Sequence, residues 1–266
     1  MIKPIDKITS FVSNDLISLF GDSIINNSFE EAWKTTLGIL TDDAIHDSLV
    51  NTNLHSRYYM LEDSQGTSSW LVDGFTKDKR LISVERQILN SSPAVYYPSR
   101  SLDSLKAYNL ALNSDSIYYE NNKYLPRYFT TTGGQLNIIP KDAITIGEST
   151  TYNHPKARVF WISMLKFNQN GGLYGTFDLT GKNLSDIEEV AEDTIFYGIP
   201  TDAKELVYLQ TAINLIQNYM ADFVHEEEDT ELTTLLASQI ASLNSAKQEQ
   251  YKYILAKYGG DVQLNE

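Results

Sequence analysis

Cysteine is absent from this chain of 266 residues. That absence excludes thiolate nucleophiles, disulfide frameworks and cysteine-built zinc sites. It carries no information about compartment, because a chain without thiols is indifferent to redox conditions. Histidine is nearly as scarce. The four histidines, His46, His55, His154 and His225, never recur at the three- or four-residue spacing that sets two ligands on one helix face. His225-Glu226 begins like a zinc-protease helix, but Asp229 stands where the second histidine belongs. Positive charge is the third shortage: 21 Lys and Arg face 35 Asp and Glu, a formal net charge of −14. Such a chain repels phosphate backbones instead of releasing their counterions, which argues against sequence-specific DNA binding.

Long apolar runs are also missing. The N-terminus has a lysine near its start, but Asp6, Lys7 and Asp15 interrupt every apolar core, so it reads as an amphipathic helix and not as a signal peptide. The stretch from Val159 to Leu165 is far short of the ~20 apolar residues of a membrane span. A soluble protein made in the cytoplasm is expected. Asn-x-Ser tripeptides at Asn26, Asn90 and Asn183 carry no weight without a secretion signal.

What is present divides into three parts, 1–56 helical, 57–199 β-rich and 200–266 a helical hairpin, packed as one unit of α+β class. In the first part Ile5, Ile8, Val12, Leu16 and Leu19 recur at helical spacing until Gly21, read as a C-terminal stop. Ser28 and Glu31 form a capping-box pattern for a second helix with Phe29, Trp33, Leu37 and Leu40 near one face, and a shorter helix spans Asp43 to Val50. The middle part reads as short antiparallel strands at Tyr58–Leu61, Trp70–Val72, Leu81–Arg86, Ala94–Tyr97, Ile117–Tyr119, Tyr128–Thr132, Gln135–Ile139 and Arg158–Lys166. Gly133-Gly134 fits a two-residue hairpin turn, and Ser101 to Leu112 fits a short crossing helix. In the last part Leu206, Leu209, Ile213, Ile216, Met220 and Phe223 draw a narrow apolar seam. Asp202 is placed to cap that helix with Glu205 reaching back, and the acidic turn Glu226 to Asp229 leads into a second helix ending near 258.

The candidate chemical motifs fail on spacing or residue type. Residues Gly175 to Lys182 look like a phosphate loop, but five residues separate the glycines and Asn183 replaces the magnesium-binding hydroxyl. A loop and turn is the expectation there, and Gly171-Gly172 reads as a hairpin turn because no strand-to-helix pattern flanks it. The run Glu226 to Asp229 lacks the alternating ligands and central glycine of a calcium loop. Glu30-Glu31 and Glu188-Glu189 are adjacent carboxylates that project in different directions, not an acid–base pair. No nucleophile elbow occurs. Hence no catalytic, cofactor-binding or metal-binding residue is assigned, no cofactor is expected, and the chain is not read as an enzyme. Tyrosine is abundant, with doublets Tyr58-Tyr59, Tyr96-Tyr97 and Tyr118-Tyr119 that in a strand put one ring outward, where interfaces favour aromatics.

Five segments taken in order resemble the head-to-tail connector, or neck, proteins of tailed bacteriophages: Arg80 to Arg86, Ser101 to Tyr108, Gly133 to Pro140, Ala157 to Met164, and Ile199 to Ile213 leading into the hairpin. The resemblance covers about residues 57 to 255. It implies a structural virion protein of the neck, assembled in the host cytoplasm into a ring, twelvefold in the typical case. Its partners would be other copies of itself, the portal protein, and tail or neck proteins, with DNA passing through an acidic channel unbound and no membrane contact. The alternatives are a tail-completion or baseplate component, and a ligand-binding protein or enzyme using exposed Tyr and Trp.

The charge balance sets a first expectation. Fluorescence anisotropy at about 0.15 M salt will detect negligible binding to duplex DNA, and salt-sensitive micromolar binding would reveal a concentrated basic patch.

Overall fold

The computed structural model describes residues 3–51, 58–61, 79–89, 95–102, 106–107, 127–130, 136–139, 157–169, 178–188, 195–222 and 230–258. It combines helices with largely antiparallel sheet, the α+β class. Two compact units are formed, one by Met1–Leu54 with Met164–Glu266, the other by His55–Ser163. Residues 164–199 therefore belong with the helices.

In the helical unit, α1 (Pro4–Phe11), α2 (Asn14–Ser18), α3 (Asp22–Ile39) and α4 (Asp42–Asn51) precede α5 (Lys204–Asp222) and α6 (Thr230–Tyr258). The apolar repeat from Ile5 to Leu19 is divided between two helices. The chain turns extended at Val12 and Ser13, and the Ser13 hydroxyl accepts from Leu16 N–H at 3.2 Å, starting α2 afresh. Gly21 starts α3 as its N-cap instead of stopping the preceding helix.

The capping box at Ser28 and Glu31 does not form, because α3 has already begun at Asp22. Ser28 is buried inside the helix, where its hydroxyl accepts from Asn218 Nδ2 at 3.3 Å and its carbonyl from Asn214 Nδ2 at 3.2 Å. Asn26, an equally poor helix former, receives Leu184 N–H on its Oδ1 at 2.9 Å and donates to Asn183 at 3.0 Å. Long-range partners thus occupy the polar groups that would otherwise compete with the helix backbone.

Helix α5 is the centre of this unit, with α1, α3 and α6 packed against it. No residue from Leu206 to Ile216 is exposed. The expected seam residues Leu206, Leu209, Ile213 and Ile216 are buried, but so are Val207, Tyr208, Thr211, Ala212 and Leu215, so the apolar surface is broad, not a narrow stripe. Phe223 and the acidic turn lie outside the described residues. Beside α5 an aromatic cluster gathers around Phe29, with ring centroids 5.6 Å from Phe196, 6.0 Å from Phe167 and 6.4 Å from Tyr208.

The capping role expected of Asp202 is also replaced. A 3-10 turn, Thr201–Ala203, precedes α5 with Pro200 at its N-cap and no side-chain cap bond, and Glu205 is exposed. The Asp202 carboxylate instead turns to the end of α6, where Lys257 donates to it.

The second unit holds β1 (Tyr58–Leu61), β2 (Lys79–Leu89), β3 (Val95–Pro98), β4 (Arg100–Ser101), β5 (Arg127–Thr130), β6 (Leu136–Ile139) and β7 (Ala157–Ser163). Four strands pair antiparallel in the order β1-β7-β2-β3, and a smaller sheet runs β4-β5-β6, with β4 parallel to β5. Central β7 is buried continuously from Val159 to Ser163, so neither face of this stretch is open to solvent. Ser101 of β4 pairs with Tyr128 of β5 and is not the start of a helix, and Leu102 N–H donates to the Tyr128 carbonyl at 2.8 Å; of the rest of that expected helix only Lys106 and Ala107 are described, and both are helical. The expected strands Trp70–Val72 and Ile117–Tyr119 lie outside the described residues.

Strands β5 and β6 are antiparallel neighbours, with Thr130 opposite Leu136. The five positions 131–135 lie between these partners, an odd number, whereas a two-residue turn without a bulge needs an even one. The register thus disagrees with the simple Gly133-Gly134 turn; the turn residues lie outside the described ones.

Ile213 is 2% exposed in the middle of α5. Replacing it by Asp places an unpaired carboxylate among apolar side chains and should lower stability by at least about 3 kcal/mol in urea titration. Parent-like stability would remove α5 from the core.

Candidate functional site

The motifs singled out in the sequence scatter. His46 lies on α4 with Nδ1 3.8 Å from Asp47 Oδ1, while His55, His154 and His225 are outside the described residues, as are Gly171, Gly172, Gly175 and the run Glu226 to Asp229. Among the described residues no group of three His, Asp or Glu side chains could hold a metal ion, and no helix is long and apolar enough to cross a membrane. Glu30 accepts Phe167 N–H at 2.6 Å, and burial pushes its carboxyl above the ordinary value despite that bond and Lys166. Glu31 is exposed, so the two neighbouring carboxylates sit in different environments.

The part of the phosphate-loop look-alike that is described is a turn. Thr180 N–H donates to the Asp178 carboxylate at 3.1 Å, Lys182 N–H to the Leu179 carbonyl at 3.0 Å, and Gly181 takes a φ of +68°, a conformation that suits glycine. Asn183 faces the helices: it donates to Asp22 at 3.3 Å and accepts from Asn26 and Asn168. This polar clasp was illegible in sequence because α3 and the loop it joins are 157 or more positions apart.

Helix α6 is attached differently from α5. Leu236, Leu243 and Ile254 are its only buried residues. Long polar side chains supply much of the remaining contact: Gln239 Nε2 donates to the Phe11 carbonyl at 2.8 Å, Lys247 Nζ to Gln210 Oε1 at 2.8 Å, and Gln250 Nε2 to the Asp202 carbonyl at 2.7 Å. At its end Lys257, Tyr253 and Tyr258 all donate to Asp202 Oδ2, and the terminal Tyr258 carbonyl accepts both the amide and the hydroxyl of Thr41.

The outer side of α6 is unusual for an acidic chain. From Leu232 to Ala246 there is no charged residue. At the chain average of 21%, about three would be expected in such a stretch. Thr234, Leu235, Ala237, Ser238, Ala241, Ser242, Ser245 and Ala246 are all exposed, and Leu235 is 65% exposed. Serine and threonine are only moderate helix formers, and a solvated helix gains more from charged pairs one turn apart. The face has the small, neutral character that lets another surface approach closely.

Two concavities flank this arrangement. An apolar slot of about 150 Å³ lies among Thr35, Thr36 and Ile39 of α3, Leu206 and Gln210 of α5, and Lys247 and Tyr251 of α6. A more polar cleft of about 360 Å³ lies between α1 and the start of α5, where Lys7 sits 5.3 Å from the Tyr208 ring and Lys204 5.2 Å from the Phe196 ring.

Comparison of the chain with protein-family models, curated proteins and solved structures gave no match.

The clasp at Asp202 makes a pH prediction. The hydrogen bond from Lys257, foremost, lowers the Asp202 pKa, and the Asp202 partner raises that of Lys257. A lowered carboxylate pKa stabilises above the ordinary aspartate value and loses that contribution as pH falls through the folded value. Asp202→Ala should therefore lower the thermal midpoint by roughly 2 °C at neutral pH, as for a solvent-exposed pair. The difference from the parent should narrow in acid below the usual aspartate range, and again in alkali above the usual lysine range, where Lys257 loses its proton. Equal midpoints at pH 7 would mean that the clasp contributes nothing.

Proposed function

We propose that this chain is a structural protein of the phage neck, assembling as a ring that joins portal to tail and lets DNA pass. The observation that carries the reading is the exposed, uncharged face of α6 in a chain of net charge −14. A face without charge on an acidic protein is where a further subunit meets the least repulsion. The connector-like order of segments in the sequence supports the same role, and the surplus of carboxylates suits a channel that DNA crosses without sticking. A closed ring of more than two members needs two different patches on each subunit. A portal template would raise the effective concentration of weakly associating subunits.

Another tail-completion or baseplate component would use the same kind of face against different neighbours. A second class of reading, a ligand-binding protein, is favoured by the cleft at Lys7 and Lys204. A chain that stays monomeric at high concentration and binds a small anion in that cleft supports this second reading.

Cryo-EM of the particle that contains the chain tests the proposal. Multiple copies in a ring at the portal-to-tail junction are expected. Single copies, or a position away from that junction, would overturn it.

A further inference from the structure

We infer that Leu235 of one copy inserts into the apolar slot between α3, α5 and α6 of a second copy. The contact rests on the ring reading above and supplies its geometry.

The knob is Leu235, at 65% the most exposed of the large apolar side chains among the described residues. Ser238 and Ser242, one and two turns along the same side, are exposed and short, so a neighbouring surface can come close enough for the leucine to reach inward. The hole is the slot of about 150 Å³. Dry apolar cavities of roughly that volume accept a benzene-sized guest, so an isobutyl group fits. Its apolar lining comes from Ile39, Leu206 and the buried Thr36. Two of its polar residues, Gln210 and Lys247, hydrogen-bond each other at 2.8 Å, so an apolar guest does not strand that pair.

Position makes the pairing head-to-tail. Leu235 and Tyr251, one on the knob and the other on the slot, are sixteen positions apart on one helix. At ~100° and 1.5 Å per residue they point about 160° apart and lie about 24 Å from one another along the axis. One subunit therefore carries knob and hole on nearly opposite sides of α6, and successive copies can each use both. A contact of this type generates rings when the rotation closes. Charge selects the occupant. Two copies of net charge −14 repel each other on the whole, whereas the stretch Leu232 to Ala246 that carries the knob is uncharged and, among the described residues, the slot is lined by no carboxylate and by one lysine.

The absence of cysteine makes the test clean. Thr35, an exposed slot residue, and Ser238, beside the knob, are both replaced by Cys in the full chain, and the purified protein is treated at high concentration with a short bismaleimide. A ladder of covalent multimers is expected. Adding Leu235→Glu should reduce the ladder at least tenfold, while circular dichroism and the thermal midpoint stay at parental values because the residue is exposed. Ser238→Cys alone should give no dimer. A strong dimer from that single variant would place α6 against α6 of the second copy and overturn the inference, as would a ladder that survives Leu235→Glu, or no cross-link at all. Neck rings in the particle without a ladder would retain the ring reading and discard this contact. A ladder from a chain found elsewhere in the particle would do the reverse.

Discussion

A helix with no exposed residue over eleven positions, Leu206 to Ile216, is the constraint on which the helical unit depends. Its apolar side chains each contribute ~1.5–3 kcal/mol only when water is excluded from every side. Helices α3, α6 and α1 surround α5 for that reason. The buried Thr211 hydroxyl within that span is satisfied locally by the Val207 carbonyl at 2.7 Å, so it needs no partner from outside the helix. The segment after Ser163 adds Phe167 and Phe196 beside Phe29, and the Phe196 ring lies 5.2 Å from that of Tyr208 on α5.

With α5 so covered, α6 has little left to bury: Leu236, Leu243 and Ile254. The rest of its attachment comes from glutamines, lysines and tyrosines whose long side chains reach the backbone or the Asp202 carboxylate. That division leaves the side opposite the core exposed to solvent. The serines and threonines on that face are only moderate helix formers, while the alanines there favour the helix itself. Asp202 and Thr41 fix the far end of the helix, beyond the uncharged stretch.

Much of the element order was legible because periodicity is local. The strand Tyr58–Leu61, the short helix after Thr41 and the end of α6 near residue 258 follow from the spacing of apolar residues and from turn signals. The buried set Phe29, Trp33, Leu37 and Leu40 was equally visible. What misled was capping chemistry: Ser28 with Glu31 and Asp202 with Glu205 have the right letters at the right spacing. In the fold Ser28 is taken by Asn214 and Asn218, and Asp202 by Lys257, Tyr253 and Tyr258. A side chain that can cap can also bond across the core, and the sequence does not say which partner arrives first.

The sequence alone determined the α+β class, the acidic charge, the lack of thiol chemistry and the presence of a C-terminal helical pair, since these depend on composition and on short-range periods. Tertiary structure decided that α5 is central and α6 peripheral, although the sequence shows both only as the two arms of one helical hairpin. It also decided that Asn26, Asn183 and Asp22 meet, and that an apolar slot opens across α6 from an exposed leucine. Those facts join residues distant in the chain, and only the packing of one helix against another brings them within bonding distance.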